Sequence, residues 1–65
     1  MSNPFIIFVG EARDNMQPHK SAPDICSAIL EGKSLVDSYP CVEVTYMPED
    51  NLDANEIIYS HYAAS

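Results

Sequence analysis

The residues in this chain whose types could do chemistry are few, and their spacing defeats most of the chemistry they suggest. Gly32-Lys33-Ser34 has the ending of a phosphate-binding P-loop. That motif needs a second glycine where Ser27 stands, and a strand feeding the loop. Ser27 to Glu31 has a helical pattern instead, so no glycine-rich backbone would cradle a phosphate. His19, His61, Cys26 and Cys41 are zinc-ligand types, but none of the local spacings of zinc sites is present. His19 reads as an exposed loop histidine and His61 as a partly buried structural one. His19, Ser21 and Asp24 supply a base, a hydroxyl and a carboxylate in one short stretch, which is not the geometry of a triad. Asp50, Asp53 and Glu56 lack the central glycine and the bidentate glutamate spacing of a calcium loop. The expectation is a chain without catalysis, metal or cofactor.

Charge says more than motif. The net charge is -7, from ten acidic and three basic residues. Arg13, Lys20 and Lys33 all precede Ser34; after it come Asp37, Glu43, Glu49, Asp50, Asp53 and Glu56, with no Lys or Arg. Nucleic acids and anionic membranes are recognised by basic patches, so direct binding to either is not expected. An acidic half fits a protein partner with a basic surface, such as a nucleic-acid-binding groove. Glu43, Glu49, Asp50, Asp53 and Glu56 are the expected contacts. Tyr46, Tyr59 and Tyr62 are the expected anchors, because a tyrosine buries a large ring while keeping a polar tip. In its sharpest form the reading is a small inhibitor of the phage or mobile-element type, presenting carboxylates as DNA does. The plain alternatives are acidity that serves solubility alone and a structural accessory subunit.

The elements that must position these residues follow from pattern. The chain has 65 residues, enough for one domain with a marginal core. Its short apolar run has no basic flank and no cleavage site, so neither a membrane span nor a signal peptide is expected, and the location predicted is cytoplasmic. Phe5-Ile6-Ile7-Phe8-Val9 lies between Pro4 and Gly10 and does not alternate, which predicts a strand buried on both faces. Glu11 to Ala22 reads as a long loop. Ser21 or Ala22, Pro23 and Asp24 read as the start of a helix running toward Ser38, with Ile25, Ile29 and Val36 on its apolar face, widened by Cys26, Leu30 and Leu35, and Gly32 inside it. Cys41 to Met47 alternates: Val42, Val44 and Tyr46 face one way and Cys41, Glu43, Thr45 and Met47 the other. From Asp50 or Asn51 a second helix is expected, with Ala54, Ile58 and Tyr62 along one face. Both cysteines are expected as buried free thiols.

The order predicted is an α/β fold, β-α-β-α, with two parallel strands and helices packed on the sheet. By order of elements, Phe5 to about Tyr62 resembles the first half of a thioredoxin-like or glutaredoxin-like domain. That family's Cys-x-x-Cys would fall at Pro18-His19-Lys20-Ser21, which holds no cysteine. The resemblance implies the topology, and a degenerate redox or ligand-binding protein around Cys26 and the His19 loop. A two-stranded sheet also leaves one edge of the first strand unpaired. A homodimer through Phe5, Ile6, Ile7, Phe8 and Val9 is therefore expected, or the addition of a partner's strand there.

Overall fold

The apolar run from Phe5 forms a strand, and that strand continues through Gly10 to Ala12 (β1, Phe5–Ala12). In the computed structural model, which describes residues 3–48, 53 and 55–63, β1 turns at Arg13-Asp14 into β2 (Asn15–Ala22). Gly10 permits the tight hairpin, since a Cβ there would collide with the backbone of Asn15 and Met16. A helix follows (α1, Ile25–Leu35), then β3 (Cys41–Tyr46) and β4 (Glu56–Tyr62). The strands form one four-stranded sheet in the order β2-β1-β3-β4, and every neighbouring pair is antiparallel.

The expected β-α-β-α domain with paired parallel strands is therefore incorrect, and the thioredoxin-like order of elements goes with it. The crossover through α1 joins β2 to β3. Those two strands do run in the same direction, but β1 lies between them and pairs antiparallel with both. The homodimer edge expected at Phe5, Ile6, Ile7, Phe8 and Val9 does not exist, because β2 occupies one side of β1 and β3 the other.

Two segments account for the difference. Residues 11–22, expected as a loop, form the end of β1, the hairpin turn and β2, paired from Ala12 opposite Asn15 to Phe5 opposite Ala22 with register shifts between Ile7 and Phe8 and between Gly10 and Ala12. Its sequence, NMQPHKSA, has no β-branched residue and contains a proline, so its own propensity for a strand is poor. Pairing with β1 imposes the extended state. Pro18 is tolerated because β2 is an edge and because of the phase of the ladder. Met47 N–H donates to Pro4 C=O, so alternate residues of β1 from Pro4 bond to β3 and Phe5, Ile7 and Val9 bond to β2. Pro18 lies opposite Phe8, and its nitrogen points to solvent. The expected second helix is likewise a strand, β4. Ile57, Ile58, Tyr59 and Tyr62 are strand formers, and pairing with β3 decides for them. The proposed caps Asp50 and Asn51 lie outside the described residues.

α1 begins two residues later than the expected start at Pro23, and ends at Leu35, short of the expected Ser38. Asp24 caps it, accepting the Ser27 N–H on its carboxylate at 2.8 Å. The Leu35 carbonyl accepts the N–H groups of Ser38 and Tyr39 at 3.0 and 2.9 Å. Gly32 neither breaks nor caps it. The helix turns Ala28 and Gly32 to the sheet, and a Cβ on Gly32 would sit 2.8 Å from Val44 Cγ2. This close seat rotates the larger apolar side chains outward. Ile25 and Leu30 are 45% and 68% exposed, and Cys26 is exposed, contrary to the expectation of a buried thiol. Cys41 is buried, as expected. Ile7, Val42 and Val44 are wholly buried and form the core with Val9, Ala22 and Ala28. Among the described residues no helix is long and apolar enough to cross a membrane.

Candidate functional site

One helix covers one face of the sheet, and alternation sends every second side chain to the other. Val42 and Val44 take the helix side, as their spacing predicts, so Glu43 and Thr45 take the open side. Cross-strand register brings Phe8 and Ser60 beside Glu43, Ile6 and Ile57 beside Thr45, and Tyr62 beside Cys41. Glu43, one of the expected partner contacts, is half-buried here.

The Tyr62 hydroxyl donates to a carboxylate oxygen of Glu43. The Arg13 guanidinium, carried by the β1–β2 turn, lies over the Tyr62 ring with its carbon 4.4 Å from the centroid. The Tyr62 phenol is held above its usual range. Its hydrogen bond to Glu43 is the main cause, joined by burial and by the carboxylate's charge; Arg13 and a hydrogen bond with Ser60 act the other way.

Beside this cluster is a cleft of about 400 Å³. Phe8, Met16, Met47 and Ile57 supply its apolar walls, and Arg13, Asp14 and Glu43 its charges. Ile57 is 55% exposed. Methionine side chains adapt to the shape of a visitor, and an apolar floor with a charged rim is the anatomy of a protein-binding patch. A second cleft, of about 440 Å³, opens between β2 and the connection from α1 to β3. Glu11, Gln17, His19 and Tyr39 line it, and the His19 and Tyr39 rings stand 5.7 Å apart. Among the described residues, neither His19 nor Ser38 of this cleft is hydrogen-bonded through its side chain to another side chain. Among the described residues no group of His, Cys, Asp and Glu could hold a metal ion.

The expected contact residues divide between the two faces. Glu43 and Tyr62 share the open face and touch. Tyr46 stacks on Phe5 on the helix side, with ring centroids 5.1 Å apart, and Glu56 lies opposite it in β4. Tyr59 packs partly against the core beside Gly32. Asp53 and Glu56 are exposed, and Glu49 and Asp50 lie outside the described residues. Sequence reasoning missed Arg13 and the apolar walls. Phe8 was reachable through strand alternation; Arg13 was not, because only the hairpin register carries it to Tyr62.

No known protein family, curated protein or solved structure matches this chain.

Proposed function

We propose that this protein is a non-catalytic interaction module that presents acidic groups to a basic surface of a protein partner. The observation that carries the reading is the open face of the sheet, where a carboxylate, Glu43, stands at the rim of an exposed apolar cleft. The charge pattern supports the sign of the partner. Past Lys33 there is no lysine or arginine, and exposed carboxylates stand at Asp53 and at Glu56, the first residue of β4. The rim holds two carboxylates, Asp14 and Glu43, against one cation, Arg13; an excess of one sign steers an oppositely charged partner and raises its association rate, while an apolar centre holds it. A nucleic-acid-binding groove is one basic surface of that kind, so the sharper form of the proposal is an inhibitor that competes with nucleic acid.

The test is retention of basic nucleic-acid-binding proteins on the immobilised chain at low ionic strength, followed by elution with salt. The Asp50→Lys, Asp53→Lys, Glu56→Lys triple variant should lose retention and flatten its salt dependence. Ile57→Ser should weaken retention at every ionic strength, because it removes an apolar contact. A triple variant that retains the same proteins as the parent overturns the proposal.

A further inference from the structure

The two edges of the sheet are unlike. On β2 the outward groups are interrupted: Pro18 offers no N–H and Lys20 charges the strand. Each of these blunts an edge against further pairing. β4 has no proline and no lysine. From Ile57 to Tyr62 it carries neither carboxylate nor amine, in a chain of net charge -7.

The β3–β4 ladder decides which backbone groups of β4 are free. Ala63 N–H donates to Pro40 C=O at 2.7 Å. Bonded and non-bonded pairs alternate in an antiparallel ladder, so Val42 with His61 and Val44 with Tyr59 are the next bonded pairs. The N–H and C=O of Ser60 and Tyr62 therefore point away from β3, and among the described residues no strand receives them. We propose that β4 pairs antiparallel with β4 of a second copy, about a two-fold axis normal to the sheet, through the backbone groups of Ser60 and Tyr62.

The occupant follows from charge and symmetry. Two residues facing each other across this axis must lie on the same face of the sheet, so Ser60 meets Ser60 or His61 meets His61. In either register no carboxylate opposes a carboxylate within β4, and Glu56 stays at the far end of the strand. Glu43, the acid on the neighbouring strand, belongs to β3 and is not on this edge. The strand is thus a neutral window in an acidic chain, suited to its own copy and offering little to a cationic strand. An interface that uses the same patch on both copies closes on itself and yields a dimer, not a filament.

Sedimentation velocity of the full chain across the micromolar range tests this. Ser60→Pro removes an outward N–H and leaves the bonds to β3 in place; Ser60→Lys puts an ammonium group on the edge. The parent should show a concentration-dependent dimer, and each folded variant should raise its dissociation constant by at least about tenfold. Circular dichroism confirms folding, and if Ser60→Pro does not fold, Ser60→Lys carries the test. A parent that stays monomeric, open-ended oligomers, or a dimer undiminished in Ser60→Lys would each overturn the proposal. The two experiments have separate readouts: self-association is measured on the chain alone, and the charge-reversal variant is read by retention of basic proteins.

Discussion

Tyr62 is held by two groups of opposite charge: its hydroxyl donates to Glu43, and its ring lies under Arg13. The carboxylate prevails in the titration, because a phenolate would lose the donated hydrogen bond and face a negative charge. Folding thus favours the neutral phenol. The stabilisation is fully present below the unfolded phenol's value near 10.0 and is lost as pH rises through the higher folded value. An alkaline titration followed by tyrosinate absorbance should show a component above that value. Tyr62→Phe should delete it, and Glu43→Gln should move it to lower pH. If Tyr62→Phe only scales the whole curve down, the Glu43 contact is not made in solution.

At the scale of the element, the contact between α1 and the sheet depends on a residue that ordinary helix preference disfavours. Alanine is favoured over glycine in a helix interior by about 1 kcal/mol. At position 32 the added methyl would meet Val44 Cγ2 at 2.8 Å, with the Tyr59 ring edge at 3.4 Å, in a fully buried seat. Overpacking of that kind costs about 1–3 kcal/mol, so the clash should outweigh the propensity gain. Gly32→Ala is expected to lower the urea midpoint. Combining it with Val44→Ala should cost less than the sum of the two single changes, since the second opens the space the first needs. A Gly32→Ala protein more stable than the parent would mean that α1 stands farther from β3. The ion pair between Lys20 and Glu31, at 3.2 Å, also links β2 to α1, but both side chains are well exposed and such pairs contribute roughly 0–1 kcal/mol.

At the scale of the whole molecule, the described residues place one helix on one face of a four-stranded sheet and leave the other sheet face without a helix. The two cysteines report on that arrangement. Cys26 stands on the exposed side of α1, and Cys41 is buried between β1 and β4. An aromatic disulfide reagent at mildly alkaline pH should therefore titrate one thiol quickly in the native protein, and Cys26→Ser should remove that fast phase. Cys41 should react only as the chain unfolds. Two equally fast thiols would show that the Gly10–Cys41–Tyr62 row is open.

The sequence by itself determined the strand at Phe5, the inward set Val42 and Val44, the existence of a helix after Pro23, the burial of Cys41 and the acidity of the second half. Each of these follows from local pattern or composition, which act within a few residues. Tertiary pairing decided the rest. β2 has little strand propensity of its own and is extended because β1 offers it a ladder. Residues 56–62 can serve a helix or a strand and become a strand because β3 has a free side. The choice of Ala28 and Gly32 over Ile25 and Leu30 as the inward face of α1 depends on how closely that helix can approach Val44. Glu43, Tyr62 and Arg13 come from three separate parts of the chain, and only the antiparallel registers of β1 with β2, β1 with β3 and β3 with β4 bring them to one face.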